Sequence, residues 1–264
     1  MSNIQITENE SGKYSPEWFY NEAQKPEWIA FIRKADTLHE NFINHFGIEH
    51  LKSLSGKELL TSLFYNDKGN KLNLCYVLEM DKDMREIFGS IAGGAAYKFG
   101  LFFHKKTQSW TCGSPAKPVK LTENEAIQKA EEIRNDLVAG AEIISSFGPL
   151  NSTADYEQLY KQLEHISGIN TVWRMKYYQM LFPILFAPFY GQDIQLDVLH
   201  FLNQTPSEIP FIRMGQIALF SKKCNIPGIV FGHIWGRSTN HNNKSNDSET
   251  NTLSDKKHKL HYWM

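Results

Sequence analysis

Apolar and polar positions change their spacing along this chain, and the changes divide it into segments. Ser15-Pro16-Glu17-Trp18 predicts a helix start, because a serine hydroxyl accepts a backbone amide at the N-cap and proline fits the first helical position. Pro26 restarts the helix. Trp28, Ile29, Ile32, Ala35, Leu38, Phe42, Ile43 and Phe46 then recur at helical intervals, and Gly47 is placed to end the run. Ser55 with Glu58 forms a capping-box pattern ahead of Leu59, Leu60, Leu63 and Phe64.

The period then changes. After an expected turn at Asp67-Lys68-Gly69-Asn70, Leu72, Leu74, Tyr76, Leu78 and Met80 alternate with Asn73, Cys75, Val77 and Glu79, which predicts a half-buried strand. A loop of small residues from Gly89 to Ala96 leads into Tyr97, Phe99, Leu101 and Phe103, which share one parity. That spacing predicts a second strand. Lys105-Lys106-Thr107-Gln108 supplies a polar turn, and Ser109-Trp110-Thr111-Cys112 returns as a partner strand. Pro115 and Pro118 mark the exit. Thr122 and Glu125 form another capping-box pattern, followed by Ile127, Ala130, Ile133, Leu137, Ala141 and Ile144 in a long amphipathic helix expected to cover the sheet.

Phe147-Gly148-Pro149 is the best internal boundary, since glycine and proline interrupt the periodicity. Beyond it the chain reads as mostly helical, with segments at 156–166, 172–185, 194–202 and 211–220, while 226–235 fits strand or helix equally. The expected organisation is a flexible leader (1–14), an α+β N-terminal lobe (15–147), a helical lobe (148–236), a flexible linker (237–259) rich in Ser, Thr, Asn and Lys, and an apolar stub (260–264) of a following domain. The fold class is therefore α+β, a small antiparallel sheet packed by long helices and followed by a mostly helical lobe.

Composition narrows the function. A net charge of -1 advertises no global affinity for nucleic acid, so such binding requires a local basic patch. Three scattered cysteines fit neither a disulfide framework nor a zinc site, and no apolar run approaches the ~18 residues needed to span a bilayer. A cytoplasmic protein without membrane partners is the expectation. No P-loop, nucleophile elbow or catalytic cysteine motif is present. His39, His45 and His50 cannot share one ion, because His45 points away and the other two lie about 16 Å apart along a helix. Glu79, Asp81 and Asp83 read as solvated charge at a strand end. No enzymatic activity, metal or cofactor is expected.

The distinctive chemistry is aromatic and basic. Tyr97, Phe99, Phe102, Phe103 and Trp110 interleave with Lys98, His104, Lys105 and Lys106, a mixture that suits base stacking beside phosphate contacts. Core packing of the odd-numbered rings is the competing account, and Phe102 has the opposite parity. A second cluster, Trp173-Arg174-Met175-Lys176-Tyr177-Tyr178, predicts a helix with Trp173 and Tyr177 inward and Arg174 and Lys176 exposed.

The stretches FGSIAGGAAYKFGLFFHKK, LTENEAIQKAEEIRNDLVAGAEII and WRMKYYQMLFPILFAPFY resemble the N-terminal region of McrB-like proteins of modification-dependent restriction systems, and KLHYWM resembles the first strand of an EVE (PUA-like) domain. The resemblance implies an anti-phage setting in which this region recognises DNA, with modified bases among its expected targets, beside a downstream motor domain and a nuclease subunit. The motor motifs themselves are absent from the sequence. Combined with the residue pattern, the expectation is a non-catalytic DNA-recognition module. Lys98, Lys105, Lys106, Arg174 and Lys176 are expected on phosphates, and Phe102 with Trp110 in a pocket for a flipped base. The rival expectation is a module that docks a partner subunit or a phage protein.

Overall fold

A computed structural model describes residues 14–64, 72–93 and 95–239. The fold is α+β: a small three-stranded antiparallel sheet among many helices. Most of the leader and linker, the stub and the expected turn at 67–70 lie outside the described residues.

Helix α1 (Pro16–Ala23) begins as its sequence predicts, with the Ser15 hydroxyl accepting from Trp18 N and proline in the first turn. Helix α2 (Pro26–Phe46) follows and buries Trp28, Ala35, Phe42 and Phe46. Gly47 ends it in an extended conformation and at once opens α3 (Ile48–Ser53), so no left-handed cap is used. Helix α4 (Gly56–Leu63) buries Leu59, Leu60 and Leu63, but the expected capping box is not formed: the Ser55 side chain makes no cap bond.

The largest departure from the sequence pattern lies at 72–80. Leu74–Glu79 is a helix, α5, capped by Asn73 Oδ1, which accepts from Tyr76 N at 2.9 Å. Leu74, Cys75, Val77 and Leu78 are all buried, whereas Leu72 and Met80, the ends of the apparent strand face, are exposed. A short helix buried on most of its surface has no clean helical stripe, so the accidental alternation dominated the pattern. Helix α6 (Lys82–Phe88) is capped by Asp81, whose Oδ1 accepts from Met84 N. Asp81 is thus a cap rather than loose charge at a strand end.

The sheet consists of β1 (Leu101–His104), β2 (Ser109–Ser114) and β3 (Lys117–Leu121) in that order, all antiparallel. The hairpin across 105–108 is the one expected. Tyr97–Phe99, expected in the strand, instead belongs to a 3-10 turn (Ala96–Phe99), and Gly100 at φ +80° turns the chain into β1. The third strand lies after the hairpin and contains Pro118, paired with Gly113. Proline has no N–H to donate, so this must be a non-hydrogen-bonded pair on an edge strand, a position where proline is tolerated.

Helix α7 (Glu123–Ser146) starts with the expected Thr122/Glu125 capping box and packs against all three strands. The remaining helices are α8 (Thr153–Leu163), α9 (Val172–Leu181), α10 (Gln192–Phe201), α11 (Pro210–Lys223) and α12 (Gly228–Ser238). The ambiguous 226–235 stretch is therefore helical from Gly228 onward, and its helix runs past residue 237, where the linker was expected to begin. One connected set of buried side chains extends from Phe19 to Trp235, with α1 against α12 and α2 against α9.

Helix α9 is the strut of this core. Every residue from Trp173 to Leu181 is buried, so the expected exposure of Arg174 and Lys176 is corrected. A helix enclosed on all sides must satisfy its polar groups internally. Tyr177 Oη donates to Phe46 O at the end of α2 (3.0 Å), Tyr178 Oη donates to Asp136 O in α7 (3.3 Å), and Arg174 pairs with Asp136 Oδ2.

Candidate nucleic-acid interface

The basic residues singled out by sequence fall into two groups with different surroundings. Lys98, Arg174 and Lys176 are engaged inside the protein. The Lys98 amine is ion-paired with the buried Glu79 carboxylate and donates to Ile91 O (3.0 Å) and Gly93 O (2.8 Å). Lys176 is wholly buried and donates to Gly89 O at 2.6 Å, with its amine 5.6 Å from the centre of the Tyr190 ring. Arg174 lies 5.3 Å from the Trp173 ring centre besides its pairing with Asp136. None of these three presents its charge to an approaching phosphate.

Lys98 and Lys176 hold the small-residue loop. The carbonyls at the end of α6 and in the loop are taken in series: His233 Nε2 meets Ile87 O (3.2 Å), Tyr190 Oη donates to Phe88 O (2.5 Å), Lys176 to Gly89 O, and Lys98 to Ile91 O and Gly93 O. Gly89, at φ +77°, lies so close to Pro188 O and the Tyr190 ring that a Cβ would reach 3.1 to 3.2 Å. The glycine there serves close packing. Burial pushes the Lys176 ammonium down to about 7, with Arg85 and Lys98 adding to the effect and Asp81 and Glu79 opposing it.

The aromatic pocket expected from Phe102 and Trp110 does not form. The register sets Phe102 opposite Thr111 and Phe103 opposite Trp110, and side chains alternate between faces along a strand. Phe102 and Trp110 therefore lie on opposite faces of the sheet. Trp110 faces inward and meets Phe103 edge-on at 5.4 Å, while Leu121 and Cys112 share its face and pack on the core. Phe102 packs against Tyr97 at 4.7 Å and is itself buried.

What remains on the surface is lysine. Residues 95–122 contain Lys98, His104, Lys105, Lys106, Lys117 and Lys120 and no Asp or Glu. Lys105 and Lys106 are exposed on the β1–β2 turn, and Lys117 and Lys120 are exposed on the edge strand β3. Lys120 stands level with Thr111, Lys117 level with Ser114 at the far end of β2 and on the opposite face of the edge strand, and the Lys105-Lys106 turn lies beyond Ser109 at the near end. At ~3.3 Å per residue these positions spread over roughly 20 Å. Lys117 and Lys120 were not foreseen as site residues, because Pro115 and Pro118 were read as marking the exit from the hairpin. The absence of acidic residues from 95–122 was the available signal.

Among the described residues no group of three His, Cys, Asp or Glu side chains could hold a metal ion, and no helix is long and apolar enough to cross a membrane. No family model matches the chain, and no curated protein or solved structure is significantly similar to it.

Proposed function

We propose that the chain is a non-catalytic DNA-binding module whose contact surface is the lysine-bearing sheet, working in the cytoplasm beside a motor domain and a nuclease subunit of a McrB-like anti-phage system. The observation that carries the DNA contact is the exposure of Lys105, Lys106, Lys117 and Lys120 on one small sheet whose sequence, 95–122, contains no acidic residue, in a chain of net charge -1. Local concentration of one sign of charge draws a polyanion where net charge does not. The sequence resemblance supplies the biological setting and the motor and nuclease partners. The contact set is revised from the expected one: Lys105 and Lys106 stay, Lys117 and Lys120 join, and Lys98, Arg174 and Lys176 become supports of the loop and core.

Changing all four exposed lysines to glutamine should lower affinity for a short labelled duplex by at least about tenfold at low salt, because each phosphate contact contributes to the electrostatic attraction. Thermal unfolding of the variant should match the parent, since all four side chains are exposed. Unchanged affinity would contradict the assignment.

The rival reading, a module docking another protein, is favoured by exposed apolar residues at the end of α9. Ile184 is 86% exposed, and Ile43, Ile48, Leu181 and Phe182 line a nearby depression with Gly47 and His50. Stable co-purification with a partner subunit, in a protein that binds no DNA, would decide for this reading.

A further inference from the structure

Resting on the DNA-binding reading above, we infer that the sheet grips the phosphate backbone of a duplex by charge alone and reads neither base identity nor base modification. Three observations lead there. The first concerns rings. Binding to single strands draws on aromatic faces on which bases stack. Here Phe99, Phe102 and Trp110 are buried and Tyr97 and Phe103 are partly buried, with Phe103 set against Trp110 and Tyr97 against Phe102. The sheet presents no open stacking platform.

The second concerns hydrogen-bonding side chains. Bidentate recognition of base edges relies on Arg, Asn and Gln, with Lys as an alternative partner for guanine. Residues 95–122 contain no Arg and no Asn, and the one Gln, Gln108, donates its side-chain amide to Lys105 O at 2.7 Å. Thr107 is likewise engaged, its hydroxyl lying 2.9 Å from His104 Nδ1 and 2.8 Å from Ser109 Oγ.

The third concerns access. A two-stranded ribbon fits the major groove, which is about 12 Å wide. Three strands spaced by about 4.8 Å already span about 10 Å before side chains are added, and α7 covers one face of this sheet. The lysines therefore meet the groove's rim of phosphates rather than its floor. The lysines, set along the β3 edge and the hairpin turn rather than on one face, spread over about 20 Å, which corresponds to roughly six base pairs at ~3.4 Å each.

The test is fluorescence anisotropy on the whole chain with four probes at one salt concentration. These are two duplexes of unrelated sequence, one of them again with every cytosine methylated, and a single strand of the same length. The two sequences and the methylated duplex should bind within about twofold of one another, and the single strand more weakly. The double substitution Lys117→Gln/Lys120→Gln should weaken all three duplexes by the same factor. A tenfold preference for one sequence or for the methylated duplex, or tighter binding of the single strand, overturns the inference while leaving DNA binding in place. Absence of duplex binding even at low salt overturns the DNA-binding reading and this inference together.

Discussion

Gly215→Ala should destabilise the protein by about 3 kcal/mol, the upper end of the usual cost of overpacking a core. Gly215 lies on α11 where it crosses α8, and a Cβ there would fall within 2.6 Å of Tyr156 Cγ and closer still to two other atoms of the same ring. The ring cannot step aside cheaply. Its hydroxyl donates to Leu185 O at 2.6 Å, and its ring meets Phe186 in an edge-type contact with centroids 6.0 Å apart. Any shift sacrifices that hydrogen bond, for about 1 kcal/mol, and opens space beside Phe186. Gly140 on α7 repeats the arrangement against α9, where a Cβ would sit within 2.8 Å of Tyr178 Cζ. Gly232→Ala in the interior of α12 is the control, since its nearest contacts begin at 3.4 Å and alanine favours helix. Urea unfolding should show a loss at Gly215 and none at Gly232; equal behaviour of the two would refute the close-crossing account.

Stability should rise with pH between 7 and about 9, by roughly 1 kcal/mol per pH unit, and Lys176 is the cause. Burial lowers this amine from its ordinary 10.5 to about 7 in the folded chain. Between those values the unfolded chain holds a proton that the folded chain has released, so raising the pH favours folding. Below about 7 the amine is charged in both states, the slope vanishes and the burial penalty is greatest. His233, whose ring is also lowered by burial, adds a rise on the acid side of its usual range. At the alkaline end the sign reverses. Burial raises the Cys224 thiol to about 12 and holds the hydroxyls of Tyr156, Tyr177, Tyr178 and Tyr190 above their ordinary range, so the unfolded chain loses those protons first. The maximum should fall near pH 8.5 to 9, about where the lysine contribution is overtaken. Lys176→Met should abolish the rise from pH 7 to 9 while leaving Gly89 O without its donor, a cost of about 1 to 3 kcal/mol. A parent protein with flat stability from pH 7 to 9, or a variant that keeps the slope, would contradict this.

The elements legible in the sequence are those whose signals are local. Ser15 with Pro16, and Thr122 with Glu125, specify their helix starts through bonds formed within three residues. The β1–β2 hairpin likewise declares itself by its turn. Long-range burial was less legible. The residues of α5 alternate in polarity yet are helical because their surroundings bury nearly the whole turn, and Asn73 as its cap was the signal that competed with the alternation. Arg174 and Lys176 looked like surface charge because nothing in WRMKYY records that Asp136, 38 residues earlier, and Gly89, 87 residues earlier, would receive them. The same limit applied to the aromatic pocket: a shift of one position along a strand changes the face, and only the register against Trp110 placed Phe102 on the opposite face of the sheet. The basic surface was half legible, through Lys105 and Lys106. Its other half sits on a strand containing proline, which an edge position permits and a central one does not.

The central claim is that exposed lysines of the sheet hold nucleic-acid phosphates while Lys98, Arg174 and Lys176 make their contacts within the fold. The most direct measurement is the slope of log Kobs against log salt concentration for a short duplex. Four phosphate contacts predict a slope of about -3.6, falling by about 0.9 for each of Lys105, Lys106, Lys117 and Lys120 changed to glutamine, with no shift in thermal unfolding. A flat salt response in the parent protein, or a slope unchanged when all four lysines are removed, would contradict it.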